Sequence, residues 1–293
     1  VPPASPSGRT RLRQALRSGP IVRAPGVYDG LSAQVAAQRG LPALYLSGAA
    51  TSVAHGYPDY GLLSMTEMVA AAARVTACVD VPLVADADTG YGGELNVVRT
   101  IAEYTRAGVA ALHIEDQVAP KRSGGPPGKE VVPKAEWLGK IRAALESRPD
   151  PELVVIARTD ARSVADLDEA LERVAAAFEI GADLGFVEGL TTEDEVARVP
   201  REAGGLCLYN AVWREEGPAP SPAELEGLGY RMVIFPTALM EAAASAYDAT
   251  LDDLVGADGP PARSVGDGPG ALARRVGSER WDALRARFAP PRT

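Results

Sequence analysis

The sequence predicts an α/β chain folded as a closed (β/α)₈ TIM barrel, and three observations carry that prediction. Short, nearly continuous apolar runs recur at roughly 20 to 40 residue spacing. Each closes on a polar or turn-forming residue, and the segments between them carry helix-start signals. Strands of a parallel sheet covered on both faces read as unbroken hydrophobics rather than as an alternating pattern. Eight such units within 293 residues suit one barrel; a doubly wound open sheet is the alternative arrangement of the same units.

Taken in order, the runs are Ile21 to Ala24, Ala43 to Ser47, Leu83 to Asp86, Ala110 to Glu115, Leu153 to Arg158, Leu184 to Glu188, Leu206 to Asn210 and Arg231 to Phe235. Between them, Ser64-Met-Thr-Glu67 and Thr192-Glu-Asp-Glu195 have the spacing of capping boxes. Ser221-Pro-Ala-Glu224 adds a proline at the first helical position, and Gly229 supplies the stop after Leu225 and Leu228. The expected organisation is a disordered stretch over residues 1–8, the barrel over 9–255, a Gly/Pro linker over 256–270 and a C-terminal helix with its tail over 271–293. In that last helix Leu272, Val276, Trp281, Leu284 and Phe288 recur with arginines between them. An amphipathic helix on a linker packs on its own barrel or on a neighbour's.

Composition narrows the partners. A formal charge of −9 argues against nucleic acid or an anionic membrane surface. Cys78 and Cys207 sit in apolar contexts without a CxxC or a disulfide framework, which places both in the core. The first residues lack an apolar signal core, and no apolar run approaches the roughly 18 residues of a membrane span. The expected setting is cytoplasmic, and the expected partner a small anionic molecule.

In a barrel of this kind the chemistry sits at the carboxyl ends of the strands. The polar groups that close or follow the runs, Ser47, Asp86, Asp88, Glu115, Arg158, Glu188 and Asn210, are therefore the candidate site. The stretch Leu83 to Gly93 carries Asp86 and Asp88 into a glycine-rich turn, and the next run ends in Glu115-Asp116. Crowded carboxylates raise one another's pKa unless a cation lies between them, and an all-oxygen donor set suits Mg²⁺ or Mn²⁺. Arg158 either clamps a substrate carboxylate or forms a structural ion pair with Glu188 or Asp160. The turn from Ser47 through Gly48 and Ala49 to Thr51 offers backbone N–H groups to an anion. His113 points into the barrel near the acids or is a satisfied core histidine. The Gly- and Pro-rich connection from Gln117 to Lys134 carries four lysines and arginines. It is a solvated loop or a mobile lid that brings positive charge over the substrate. It is not a P-loop, because Ser123 stands where that motif needs its first glycine.

These motifs together resemble the isocitrate lyase/phosphoenolpyruvate mutase superfamily, and within it the short-chain lyases and mutases. The matching stretches are Tyr28 to Ala33, Tyr45 to Ser52, Gly56 to Gly61, Asp86 to Gly92, His113 to Arg122 and Ala157 to Arg162. The resemblance implies a barrel whose last helix swaps onto a partner in a homo-oligomer, a tetramer built from dimers. It implies Mg²⁺ held at Asp86, with Asp88 and Glu115 reached directly or through water. An oxo- or hydroxy-acid substrate would then rest on Ser47, Gly48 and Ala49, with Arg158 and Asn210 at its other anionic end. Tyr45 and Asp59 fall at positions lining the pocket, Glu188 orients its interior, and Lys121, Arg122, Ser123 and Gly124 belong to the lid. The shared chemistry is a metal-stabilised enolate.

The chain departs from that pattern twice. The lyase branch carries Lys-Arg/Lys-Cys-Gly-His on the lid, where this chain reads Lys121-Arg122-Ser123-Gly124-Gly125. A thiol with a pKa of about 8.5 shuttles protons near neutrality, whereas an alcohol does so poorly without an adjacent base. After Asn210 the lyases place hydroxyl residues, where this chain has Ala211, Val212 and Trp213. A more apolar or bulkier distal pocket follows, and with it a reaction other than ordinary (methyl)isocitrate cleavage. The expectation is a carbon–carbon lyase acting next to the carboxylate of a 2-oxo or 2-hydroxy acid. The alternatives are a phosphonomutase, phosphonopyruvate hydrolase or oxaloacetate decarboxylase on the same scaffold, and a pseudoenzyme that only binds an oxo-acid.

Overall fold

The computed structural model describes residues 6–122, 128–212, 217–256 and 268–289. Its strands are β1 Val22–Val27, β2 Leu44–Leu46, β3 Leu83–Asp86, β4 Ala111–Glu115, β5 Val154–Thr159, β6 Leu184–Val187, β7 Cys207–Asn210 and β8 Met232–Phe235. All neighbours pair in parallel, and β8 returns to β1 through Val22↔Met232 to Pro25↔Phe235, which closes the barrel and excludes the open sheet. Before β1 comes α1 Gly8–Ser18. The connections carry α2 Gly30–Ala37, α3 Gly48–Ala54, α4 Met65–Cys78, α5 Glu94–Arg106, α6 Lys134–Ser147, α7 Ala161–Val164, α8 Leu167–Glu179, α9 Glu193–Glu202 and α10 Pro222–Leu228. After β8 come α11 Ala238–Gly256, α12 Pro269–Arg275 and α13 Ser278–Phe288.

Every residue of β2 to β6 is buried, which is why these strands read as apolar runs without alternation. Inward residues such as Val84, Ala111, Ile156, Leu208 and Met232 fill the barrel. Leu12 and Leu16 of α1 join that interior cluster and stopper its amino-terminal end. Arg9 and Arg13 tie α1 to the carbonyls of Val109 and Leu153, at 3.0 and 3.1 Å, and Arg231 binds the carbonyl of Leu16 at 2.9 Å. With its bottom plugged, the barrel is open to ligands only at the carboxyl ends of its strands.

The three capping boxes are present at Ser64/Glu67, Thr192/Glu195 and Ser221/Glu224, and Gly229 closes α10 in the left-handed conformation at φ 108°. Two boundaries differ from the sequence reading. β1 runs on through Pro25-Gly26, because Gly26 pairs with Tyr45 of β2 and a Cβ there would collide with the carbonyl of Pro236. What reads as a stop signal is a close approach of two backbones.

The C-terminal helix is the second correction. It is two helices, α12 and α13, broken where Gly277 adopts φ 76°. The step from Val276 to Trp281 spans five residues, which no single helical face accommodates. α12 touches α2 through a hydrogen bond of 2.8 Å from Gln38 Nε2 to the carbonyl of Arg275. Tyr247, Leu251, Val255, Leu272, Trp281 and Phe288 are exposed on the single chain. Of the expected disordered start, residues 1–5 lie outside the described residues, whereas Ser7 caps α1 and Gly8 begins it. Most of the expected linker, residues 257–267, also lies outside them. Among the described residues no helix is long and apolar enough to cross a membrane.

Candidate active site

The polar strand ends gather around a cavity of about 520 Å³ at the carboxyl rim. Tyr45, Ser47, Ala49, Asp59, Asp86, Arg158, Glu188 and Asn210 all line it. Ser47 leaves β2 as the N-cap of α3, accepting the N–H of Ala50 at 3.1 Å. The first-turn N–H groups of that helix therefore face the rim without partners inside the helix.

Asp86 ends β3, and several neighbours fix its carboxylate. Its Oδ1 accepts the N–H of Asp88 at 2.9 Å, and the Tyr45 hydroxyl lies 3.3 Å from Oδ2. Gly48 leaves room for it: a Cβ there would sit 2.5 Å from Oδ2 and 2.9 Å from Cγ. Tyr104 holds the backbone from behind by donating to the Asp86 carbonyl at 2.9 Å. Burial by itself would raise the Asp86 pKa, but His113, Lys121 and Arg158 together hold it well below the usual carboxylate range. The group facing the cavity is thus a fixed anion.

His113 is neither idle in the core nor exposed to the cavity. It lies one layer below, with Nε2 2.8 Å from the Tyr45 hydroxyl and 3.7 Å from Asp86 Oδ1. Burial pushes its pKa down to about 4, so the ring is neutral at physiological pH. Nδ1 has no partner among the described residues. An orphaned acceptor costs less here than an orphaned N–H, which favours the tautomer in which Nε2–H donates to Tyr45 and Tyr45 donates to Asp86. Burial first, and Asp86 second, raise the Tyr45 pKa, so that hydroxyl keeps its proton.

The other carboxylates do not converge as freely as their spacing suggests. Asp88, in a left-handed turn at φ 47°, lies 2.8 Å from Lys121, which also binds Asp59 at 2.8 Å. Burial pushes Asp88 up to about 6. Glu115 accepts from Gln117 at 2.9 Å and meets Arg158 at 3.1 Å. Asp116 turns the other way, taking the N–H of Asp160 at 2.7 Å and Arg173 at 3.1 Å, so the fourth acid of the cluster is a structural group. Among the described residues no three Asp, Glu, His or Cys side chains close around one point as a full ligand set. Mg²⁺ does not require one: it typically keeps several waters and takes one or two carboxylates plus substrate oxygens. Asp86 facing the cavity, with Asp88 and Glu115 behind it, fits that hard-cation pattern in donor chemistry.

Arg158 takes both roles the sequence left open. Its Nε donates to Asp160 at 3.0 Å, its guanidinium lies 5.0 Å from the Phe186 ring centre, and it still lines the cavity. Glu188 accepts the Asn210 amide at 2.8 Å, which orients both side chains at the rim. Lys121 is a buried ion-pair partner rather than a cavity group, and Arg122 lines a neighbouring cleft beside Pro120. Ser123 and Gly124 lie outside the described residues.

Lys129, Arg162, Phe186, Val212, Ile234 and Pro236 line the cavity and were not singled out in the sequence. Phe186 had a usable signal, because it stands two residues before Glu188 on one strand and so shares its face. Lys129 had only its place in a charged loop.

A family model described as phosphoenolpyruvate phosphomutase matches residues 12–255. The 2,3-dimethylmalate lyase of Eubacterium barkeri is 45% identical over 237 residues, covering 80% of this chain and 82% of its own. The 2-methylisocitrate lyase of Shewanella oneidensis is 39% identical, over 81% of this chain and 82% of its own. Among solved structures, oxaloacetate acetylhydrolase with 3,3-difluorooxalacetate superposes with a TM-score of 0.92 at 34% identity, covering 98% of this chain and 99% of its own. Phosphonopyruvate hydrolase with oxalate and Mg²⁺ does so at 0.89 and 28% identity, covering 97% and 100%.

Proposed function

This chain belongs to the phosphoenolpyruvate phosphomutase family, and from that premise we propose that it is a Mg²⁺- or Mn²⁺-dependent carbon–carbon lyase. Its substrate is a small 2-hydroxy dicarboxylic acid with an apolar centre, or the 2-oxo counterpart. One observation carries the reading: a single cavity sets a fixed carboxylate, Asp86, against a cation, Arg158, with Phe186, Val212, Ile234 and Pro236 between them. That combination suits a molecule with two charged ends and a branched carbon skeleton.

Asp86 would hold the cation, with Asp88 and Glu115 acting through water. The metal would supply Lewis-acid stabilisation of charge that develops on the substrate oxygen. Ser47, Gly48 and Ala49 receive the near carboxylate, and Arg158 with Asn210 receives the far one. Tyr45, held between His113 and Asp86, orients the reacting oxygen with a hydroxyl that stays protonated. In the lyase direction the 2-hydroxyl loses its proton, a C=O forms at C2, and the C2–C3 electron pair passes to C3, which takes up a proton. Serine at position 123 makes that last transfer unlike the thiol-assisted one of methylisocitrate lyases. Hydrolysis of an oxaloacetate-like acid is the second reading, supported by the likeness to oxaloacetate acetylhydrolase.

The test is a panel of 2,3-dimethylmalate, methylisocitrate, oxaloacetate and phosphonopyruvate with Mg²⁺, following pyruvate, glyoxylate, oxalate and phosphate release. Pyruvate from dimethylmalate, lost with EDTA and in Asp86→Ala, is the expected result. Activity that survives Asp86→Ala would remove the metal assignment, and binding without turnover would make the protein an oxo-acid-binding pseudoenzyme. We further propose a homo-oligomer in which the exposed apolar side chains of α11 to α13 meet a second chain, a point that light scattering decides.

A further inference from the structure

We infer that Lys129 is a substrate-binding residue that completes the receptor for the far carboxylate beside Arg158. The inference rests on the proposed dicarboxylic-acid substrate and names a group that neither the capping signals nor the strand ends point to. Lys129 lies in the backbone that returns from the Gln117 loop to α6, next to the bridge between Gln117 and Val131. Its side chain is 13% exposed and lines the cavity. Its ammonium meets Asp160 at 2.5 Å. Among the described residues that is the only hydrogen bond of an ammonium that carries three donors. Two N–H groups therefore remain for a ligand in a largely desolvated place.

The other cations nearby are already committed. Lys121 is held between Asp59 and Asp88, Lys134 pairs with Glu172 on the outer surface, and Arg162 is taken by Glu195 and Thr191. Arg158 itself spends Nε and one Nη2 hydrogen on Asp160 and directs Nη1 at Glu115. It cannot alone saturate a carboxylate, which accepts about four hydrogen bonds. Asp160, fully buried, anchors both Arg158 and Lys129 and so fixes the two cations side by side. That anchor follows β5, two strands round the barrel from Asp86 on β3, on the side where the second charge of a dicarboxylate would fall. The competing role is neutralisation of Asp160 alone.

Calorimetric titration with Mg²⁺ present separates the two, using 2,3-dimethylmalate as a probe of both ends of the site and pyruvate as a probe of the metal end. Lys129→Met should weaken dimethylmalate at least tenfold while changing pyruvate less than twofold, and Lys129→Arg should restore dimethylmalate to within about threefold. Unchanged dimethylmalate binding in Lys129→Met overturns the inference and leaves the proposed function standing. Equal loss of both ligands, with a lowered Tm, overturns it in favour of a structural ion pair. A wild-type protein that binds pyruvate but no dicarboxylate sinks the proposed substrate class, and this inference with it.

Discussion

Replacing Gly48 with alanine tests the site where it is most tightly built. The added Cβ would fall 2.5 Å from Asp86 Oδ2, short of the 3.4 Å of ordinary contact by about 0.9 Å. Asp86 Cβ, at 3.5 Å, needs no adjustment, so the strain is relieved by turning the carboxylate rather than by moving β3. Turning it off a staggered rotamer costs roughly 0.5–1.5 kcal/mol. Alanine in a helix returns up to about 1 kcal/mol relative to glycine, and no left-handed φ is needed at this position, so net stability should change by less than ~1 kcal/mol. Function should suffer far more. A misplacement approaching 1 Å costs on the order of 100-fold in rate, and disturbed support of a ligand costs about 10- to 100-fold in metal affinity. Mg²⁺ titration and kcat on the best substrate of the panel, with Tm as the control, measure all three. A folded Gly48→Ala protein with wild-type Mg²⁺ affinity and kcat would refute the claim that Asp86 is held in a cradle for the metal.

Two further outcomes follow from the buried groups. Arg173→Met leaves Asp116 buried without its cation and removes the 2.8 Å bond to the Val132 carbonyl, so denaturant unfolding should show a loss of about 3–5 kcal/mol; a loss below ~1 kcal/mol would mean that water replaces the guanidinium. His113 binds its proton below about 6.5 when unfolded but only below about 4 when folded. The unfolded state therefore holds more protons between those values, and acidification through that window should cost up to about 3 kcal/mol from this residue. Asp88, pushed up to about 6, acts in the opposite sense because the native state takes its proton first. The measurement is therefore the difference between wild type and His113→Asn: wild type should lose more stability from pH 6.5 to 4, and parallel curves would contradict the neutral buried imidazole.

Much of this molecule was legible in the chain because its information is local. Buried parallel strands need unbroken apolar runs, and helix starts need a side-chain acceptor three residues ahead of an acidic partner. The runs and the boxes at Ser64, Thr192 and Ser221 therefore mark their elements within a few residues. The rim was legible for a related reason: in a closed barrel every strand delivers its last residues to one mouth. Tyr45, Ser47, Asp86, Arg158, Glu188 and Asn210 meet there although they are spread over 166 positions from first to last.

Partner choice among charges was settled only by the fold, since Coulomb energy depends on distances between residues remote in sequence. Lys121 reads as a lid cation but is drawn under the rim by Asp59 and Asp88. Asp116 reads as a fourth ligand but faces Arg173, and Lys129 reads as loop charge but faces the cavity. The sequence by itself determined which residues arrive at the mouth of the barrel. The tertiary structure decided which of those charges are spent on one another and which are left to hold a substrate, because only packing sets the few ångströms over which that difference is made.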